Sequence, residues 1–272
     1  MKKCFGIVGG DSRQKELAAL LRRDGHTVCP YGLGEETPLE TALSADVIVL
    51  PLPLEGAAGK LNCREQDVML ERIFSSLGPG QRVLAGQVKG EHREMAEKHG
   101  VGLEDYFRRE TLTIANAAIT AECALRLATE EGTLAGKHCL VLGFGRIGKL
   151  LCHRLQGLGC AVTAAARKPE DLAWIRAYGY EGAALSELKK YLAPADVVFN
   201  TVPAMILGWD LLWELSPRCL CIDLASVRGI DADGAQARGI RCLWARGLPG
   251  KMAPHKAAEA LRDTIYEILM ED

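Results

Sequence analysis

The sequence lacks both a net charge of one sign and a long apolar run. Its 33 Lys and Arg residues nearly balance 35 Asp and Glu residues, for a formal net charge of −2, so no electrostatic field favours nucleic acid or an anionic membrane. No apolar run approaches the roughly 20 residues that span a bilayer. The N-terminal apolar stretch is too short for a secretory signal and meets Asp11 and Arg13 at once. We therefore expect a cytoplasmic protein that binds neither nucleic acid nor a membrane.

The ten cysteines lack the spacing of a metal site or a disulfide framework. No C-x-x-C pair occurs, and the one close pair, Cys219 and Cys221, falls on one face of a predicted strand, where cysteine behaves as a small hydrophobe. The six histidines form neither a metal-ligand pattern nor a Ser/His/Asp arrangement. We expect reduced thiols and no bound metal.

The chain does contain two series of alternating strands and helices, and its 272 residues suggest two domains. Period-2 and period-3.6 patterns predict strands at 4–9, 27–30, 46–50, 82–85, 138–142, 160–166, 196–200, 219–224 and 240–244. The predicted helices are 13–24, 65–74, 91–99, 115–131, 146–156, 170–177, 185–192 and 256–270.

This alternation predicts an α/β fold with two Rossmann-like, doubly wound parallel-sheet domains that flank a cleft. We place the boundary near Thr113, with a substrate-type domain over 1–113 and a dinucleotide-binding domain over 114–255. The last helix, 256–272, is free in this prediction to pack back on the first domain.

The segment Gly143-Phe144-Gly145-Arg146-Ile147-Gly148 matches G-x-G-x-x-G between a predicted strand and a predicted helix, which is the context that a dinucleotide-binding loop requires. Gly143 permits the turn, Gly145 lets the backbone approach the pyrophosphate, and Gly148 allows close helix–strand packing. The alternative is a plain glycine-rich turn. All six residues are predicted to contact the cofactor.

The end of the following strand predicts which dinucleotide binds. Sites that prefer NAD carry Asp or Glu there, to bond the ribose 2′-OH. This chain carries Arg167 and Lys168 instead, which attract a 2′-phosphate, so the sequence favours NADP over NAD. The alternative is two solvated surface cations. Thr201, Val202 and Pro203 leave the next strand and are predicted to pack against the nicotinamide half, while Asn200 has either this role or a structural one.

Three further segments are predicted to reach the substrate. In the first, Arg13 follows a glycine turn and suits a carboxylate; the alternative is a helix cap by Asp11 or Ser12 with a solvated Arg13. The second, 223–229, offers Ser226 and Arg228, with a surface loop as the alternative. The third, 247–256, contains Lys251; its two prolines and two glycines predict a shaped loop that is neither helix nor strand.

Taken together, these segments resemble the dipicolinate synthase A subunits of spore-forming Firmicutes. The N-terminal G-G-D-x-R-Q and the later G-L-P-G-K-x-A-P are the more specific motifs. In this chain the matching residues, in the order of the family, are 9–14, 116–122, 143–148, 200–203, 223–226 and 247–254. After Ser226 the family usually carries Pro-Gly-Gly, and this chain carries Val227-Arg228-Gly229.

The resemblance implies NADP-dependent oxidation of dihydrodipicolinate, a ring with two carboxylates, in the mother cell. It also implies a partner, which is a flavoprotein-like B subunit. We assign carboxylate recognition to Arg13, Ser226 and Lys251. Lys251 also suits a developing charge, and Asp11 or Asn116 would assist proton removal. A homo-oligomer is left open.

Two other classes of function fit the same plan. One is another NAD(P)-dependent oxidoreductase, of hydroxy-acid, shikimate or amino-acid type; the hydroxy-acid type would need a His with a carboxylate partner and an Arg, which the sequence does not provide in a recognisable order. The other is a non-catalytic nucleotide-binding subunit that works through a partner chain.

Overall fold

The computed structural model describes residues 2–35 and 37–271. The chain divides into two compact units, Met1–Asn116 with Pro249–Asp272, and Ala117–Leu248. The predicted boundary near Thr113 lies within the long helix α5 (Glu110–Glu130). The C-terminal helix α11 (Pro254–Met270) groups with the N-terminal unit.

The first unit contains a five-stranded sheet in which every pairing is parallel. Its strands are β1 (Cys4–Val8), β2 (Thr27–Tyr31), β3 (Val47–Val49), β4 (Arg82–Ala85) and β5 (Leu103–Asp105), in the order β2-β1-β3-β4-β5. Its other helices are α1 (Ser12–Arg23), α2 (Leu39–Leu43), α3 (Leu70–Ser75), α4 (Gly90–Lys98) and a 3-10 turn over Tyr106–Arg108.

Helix α11 completes the core on one face of this sheet. Its buried side chains Leu261, Ile265 and Ile268 pack with Leu17 and Leu21 of α1. Apolar residues at this helical spacing form a stripe that must be covered, and burial of each large side chain stabilises the fold by about 2 kcal/mol.

The second unit contains a six-stranded parallel sheet in the order β11-β10-β9-β6-β7-β8. The strands are β6 (His138–Leu142), β7 (Ala161–Ala166), β8 (Glu181–Ala184), β9 (Val197–Asn200), β10 (Leu220–Asp223) and β11 (Arg241–Trp244). The helices are α6 (Arg146–Gly157), α7 (Pro169–Ala177), α8 (Trp209–Leu212) and α9 (Ala232–Ala237), with 3-10 turns over Leu185–Tyr191. Numbered within the unit, this is the order 3-2-1-4-5-6 of a dinucleotide-binding fold, so the predicted fold class is confirmed.

The segment 247–256 departs from the prediction of a loop, which is wrong. It forms α10 (Leu248–Met252), and α11 begins after one intervening residue, Ala253. Pro249 is tolerated because the first turn of a helix leaves its N–H groups unbonded in any case. Gly250 is buried, and a larger side chain at this position would collide with Asp11.

All ten cysteines are free thiols. Among the described residues, no helix combines the length and the apolar character needed to cross a bilayer.

Candidate functional site

The strand order of the second unit fixes where a ligand binds. The chain reverses its direction of sheet growth between β6 and β9, and ligands of open α/β sheets lie at the carboxyl ends of the strands at such a point. Gly143 follows β6 and Thr201 follows β9. The predicted glycine loop and Thr201–Pro203 therefore meet at the switch point of this sheet.

Two of the three glycines are required by the fold itself. Gly143 has a φ of +95°, which favours glycine. A Cβ atom on Gly143 would also lie 2.5 Å from Thr201 Oγ1, and one on Gly148 would overlap the Gly143 carbonyl oxygen. These two positions shape the turn and allow α6 to approach β6.

Gly145 has no such requirement within the protein. It caps α6 with φ −78° and ψ −164°, which any residue adopts. A Cβ atom there would lie more than 4 Å from every heavy atom of the described residues other than its chain neighbours. The loop thus leaves open space at the N-terminus of a 12-residue helix, where unbonded N–H groups and the helix dipole favour an anion. A pyrophosphate group fits this arrangement.

The other loop residues differ in what they offer a ligand. The Phe144 side chain is buried and contacts the rings of Tyr178 and Tyr180, with centroids 6.3 and 6.4 Å away, so it anchors the loop and leaves its backbone for the ligand. Arg146 is exposed and Ile147 is half-buried.

Thr201 ties the end of β9 to the glycine loop. Its hydroxyl and its backbone N–H both donate to the Leu142 carbonyl over 2.9 Å. Val202 is half-buried and Pro203 is exposed. The turn after β9 is therefore held in place while its outer surface stays accessible.

Asn200 is fully buried and structural in its contacts. Its Nδ2 donates to Val202 O over 3.0 Å and to Asp223 Oδ1 over 2.8 Å, and its Oδ1 accepts from Val202 N. Asp223 in turn accepts from the N–H groups of Ala225 and Gly229. This pair fixes the turns that follow β9 and β10.

Arg167 and Lys168 follow β7 and are exposed. Neither side chain forms a hydrogen bond or an ion pair with any residue in the described part of the chain. They are available at the position where a ribose 2′-substituent is recognised in this fold.

Ser226 and Arg228 lie in the exposed part of the turn after β10. Arg228 does not extend freely into solvent, because its guanidinium lies over the Trp244 ring with Cζ 4.6 Å from the centroid. The second predicted segment lies in the second unit, whereas the part of the third that begins at Pro249 lies in the first.

The first unit brings Asp11 and Arg13 to its own switch point, between β1 and β3. Arg13 Nε and Nη2 donate to the two oxygens of Asp11 over 2.9 and 2.8 Å, and Nη2 also donates to Leu52 O, over 2.5 Å. The Asp11 side chain caps α1 by accepting from Arg13 N–H. The alternative interpretation predicted a helix cap by Asp11 or Ser12 and a solvated Arg13. Asp11 does cap the helix, but Arg13 is largely buried.

The ion pair keeps Asp11 charged. Burial alone raises the pKa of this carboxyl, but the hydrogen bonds and the charge of Arg13 outweigh burial and hold the pKa below its ordinary value. A carboxylate with a lowered pKa is a weak base. The geometry therefore suits Asp11 to positioning Arg13.

Helix α10 lies against this ion pair. A Cβ atom on Gly250 would lie 2.5 Å from Asp11 Oδ2 and 2.9 Å from Arg13 Nε. Lys251, the next residue, is exposed. The structure thus brings the first and third predicted segments together, while Asn116 lies half-buried on α5.

Sequence reasoning missed Gln14 and the environment of Trp244. Gln14 is fully buried, and its Oε1 accepts from Asp11 N over 3.0 Å; its position three residues after the cap was a usable signal for a capping box. Trp244 also carries the guanidinium of Arg246, with Cζ 4.8 Å from the ring centroid. No local sequence pattern links Trp244 and Arg246 with Arg228.

One cluster in the first unit, Glu55, Glu91 and His92, has ligand atoms close enough for a metal. His92 Nδ1 accepts from Lys89 N–H over 3.2 Å, so the ring proton is on Nε2, which faces Glu55 Oε2 at 3.3 Å. A protonated nitrogen cannot bind a metal. The geometry fits a hydrogen-bonded structural cluster.

Comparison with known proteins agrees with this geometry. Residues 4–107 match the family described as the N-terminal domain of the dipicolinate synthase A subunit. Residues 109–207 match the NAD binding domain of D-isomer specific 2-hydroxyacid dehydrogenases. The two matches and the fold define an NAD(P)-dependent dehydrogenase with two parallel-sheet α/β domains.

Particular relatives extend the match along the chain. The dipicolinate synthase A subunit of Bacillus subtilis strain 168 is 28% identical, over 98% of this chain and 96% of its own. The crystal structure of the A subunit from Bacillus halodurans superposes with a TM-score of 0.85 at 28% identity, covering 98% of this chain and 97% of that one. The crystal structure of the Bacillus subtilis protein superposes with a TM-score of 0.83 at 27% identity, covering 100% of this chain and 97% of that one. These matches confirm the resemblance to dipicolinate synthase A subunits over nearly the whole chain.

Proposed function

We propose that this protein oxidises dihydrodipicolinate to dipicolinate with NADP+. The observation that carries the proposal is the match of residues 4–107 to the N-terminal domain of the dipicolinate synthase A subunit. A glycine loop occurs in many dehydrogenases, whereas the model that matches residues 4–107 is described by the name of one synthase, so it supports a substrate as well as a reaction class.

The reaction removes a hydride and a proton from a dihydropyridine-type ring, and the gain of aromaticity drives it. When bound, the nicotinamide supplies the hydride chemistry. The work of the protein is then to position two rings, bind two carboxylates and exclude competing reactions.

We assign cofactor binding to the carboxyl edge of the second sheet. The N–H groups that open at Gly145 and the start of α6 would hold the pyrophosphate. Arg167 and Lys168 would bind the 2′-phosphate and so select NADP over NAD. Thr201–Pro203, fixed to β6 through the Leu142 carbonyl, would pack against the nicotinamide half.

We assign carboxylate recognition to Arg13, Lys251 and Ser226. Arg13 suits this role because its Nη1 forms no hydrogen bond with any described residue, while its other nitrogens are held by Asp11 and Leu52. Asp11 positions this guanidinium. Asn116 is the proposed polar group that assists the loss of the proton, and Lys251 also suits a developing charge.

By the same resemblance we propose that the protein acts in the cytoplasm of a spore-forming mother cell and associates with a B subunit. The name of the Bacillus subtilis relative makes it one part of a synthase with several chains, which supports a partner. The flavoprotein-like character of this partner rests on the family resemblance alone.

The direct test gives purified protein NADP+ and freshly generated dihydrodipicolinate and follows the absorbance of NADPH and dipicolinate. We expect turnover with NADP+ and much slower turnover with NAD+. Turnover only after addition of a B subunit would favour a protein without independent activity. Oxidation of 2-hydroxy acids in place of dihydrodipicolinate would favour the dehydrogenases that residues 109–207 also match.

A further inference from the structure

Two guanidinium groups lie over the ring of Trp244, the last residue of β11. Arg228 Cζ lies 4.6 Å and Arg246 Cζ lies 4.8 Å from the centroid of its ring. The indole Nε1 donates to Ala225 O over 3.1 Å, which fixes the ring against the turn after β10. Cation–π attraction then holds both arginines at one place on the surface.

No acidic side chain of the described residues pairs with either cation. Within residues 2–35 and 37–271, neither arginine forms a hydrogen bond or an ion pair. Asp223 lines the same cavity of about 480 Å³ as Arg228 and Trp244, but its oxygens already accept from Asn200, Ala225 and Gly229. Arg241, by contrast, pairs with Glu131 over 2.6 Å. Like charges gathered without a counter-charge repel each other, and an external anion would relieve this.

The strand order places this group at a defined end of the sheet. Arg228 follows β10 and Arg246 follows β11, whereas Arg167 follows β7 on the other side of the glycine loop after β6. A dinucleotide that spans the switch point with its adenosine at β7 directs its nicotinamide toward β9. Arg228 and Arg246 therefore lie on the nicotinamide side of the switch point, in the turns one and two strands beyond β9.

We propose that Arg228, Trp244 and Arg246 form a carboxylate-binding site for the ring substrate. This inference rests on the proposed function, since it names a residue set for the same substrate. A guanidinium binds a carboxylate through two parallel hydrogen bonds, and the fixed indole keeps both guanidinium groups oriented before binding. The anchored turns after β9 and β10 give the site a rigid base.

The test measures binding to the full-length protein saturated with NADP+. Calorimetry compares pyridine-2,6-dicarboxylate with pyridine-2-carboxylate for wild type, Arg228→Gln, Arg246→Gln and, as a matched control, Arg218→Gln. Arg218 is exposed and lies in the same unit, before β10. We expect Arg228→Gln and Arg246→Gln to weaken the dicarboxylate by about tenfold or more, and Arg218→Gln to bind as wild type does.

Each other outcome bears on the proposal. Unchanged dicarboxylate binding in both variants would overturn the site. Variants that lose affinity for NADP+ but keep the wild-type affinity for the dicarboxylate would overturn it as well. If wild type binds neither pyridine acid, the proposed function fails, and glutarate becomes the probe: glutarate binding that Arg228→Gln and Arg246→Gln abolish keeps the carboxylate site, and the absence of any binding rejects it.

Discussion

Asn200 Nδ2 donates to Asp223 Oδ1 over 2.8 Å, and this buried contact joins the carboxyl ends of two neighbouring parallel strands. Asp223 is 1% exposed, and its carboxylate accepts hydrogen bonds from Asn200, Ala225 and Gly229. The turns after β9 and β10, two of the segments that we assign to ligand binding, are thus held by one carboxylate. Their positions are set before any ligand arrives.

Asp223→Ala should lower the free energy of unfolding by about 3 kcal/mol, because three buried donors lose their acceptor. Urea denaturation followed by circular dichroism measures the change. Asp233→Ala removes an exposed carboxylate from the same unit and should shift the midpoint little. Equal midpoints for the two variants would show that the carboxylate contributes nothing to the stability of the turns.

Gly145→Ala should leave the fold intact and weaken NADP+ binding by about tenfold or more, since the added methyl group meets only the space reserved for the ligand. Gly148→Ala should instead lower the melting temperature without any nucleotide, because its Cβ would overlap the Gly143 carbonyl oxygen. Calorimetric titration and thermal unfolding separate the two effects. A destabilised Gly145→Ala that still binds NADP+ normally would contradict the assignment.

Local patterns explain which parts of the fold the sequence predicts. β4 (Arg82–Ala85) and β6 (His138–Leu142) have the predicted bounds, because each is a short apolar run closed by turn residues. β5, β8, α2, α8 and α9 were missed, since each is six residues or fewer and has too few positions to show a period. The helix predicted over 65–74 begins only at Leu70.

The candidate site divides in the same way. The glycine loop is readable because its strand, turn and helix are contiguous in sequence. The contact between Gly250 and the Asp11–Arg13 pair is not readable, because it joins residues at opposite ends of the chain. The Trp244 cluster joins the end of β11 with residues from the turns after β10 and β11. The hydrogen bond of the buried Asn200 amide to Asp223 depends on the register of β9 with β10.

Arg167→Gln combined with Lys168→Gln should reduce the preference for NADP+ over NAD+ by about tenfold or more, since both cations are exposed and unpaired among the described residues. The affinity for NAD+ should stay close to that of wild type. Thermal shift with each nucleotide measures both affinities, because a ligand of the folded state raises the melting temperature. Arg176→Gln, an exposed arginine of α7, is the control, and an unchanged preference in the double variant would reject these residues as the determinant.

Glu55 should make stability depend on pH in the acid range. The hydrogen bonds from Lys89 Nζ and from Gly59 N–H lower its pKa from 4.5 to about 2. A lowered pKa stabilises the folded state above the unfolded value, and this contribution disappears as the pH falls through the folded value. Glu55→Gln should therefore melt below wild type at neutral pH, and the difference should shrink between pH 4.5 and about 2.

Melting temperatures of both proteins across that range test this prediction. The control is Glu94→Gln, which changes an exposed glutamate of α4. Its melting temperature should differ little from that of wild type, and this difference should not vary with pH. A difference in melting temperature between wild type and Glu55→Gln that stays constant down to about pH 2 would mean that the hydrogen bonds from Lys89 and Gly59 do not lower the pKa of Glu55.

Arg13→Gln and Lys251→Gln should each raise the apparent KM for dihydrodipicolinate, because each removes a cation that we assign to a carboxylate. The effect of Arg13→Gln should be the larger, about tenfold or more, since its guanidinium is preoriented by Asp11 and the Leu52 carbonyl. Lys15→Gln, an exposed change on the same helix, should leave KM unaltered. Steady-state rates of NADPH formation measure all three, and wild-type kinetics in both Arg13→Gln and Lys251→Gln would remove these residues from the substrate site.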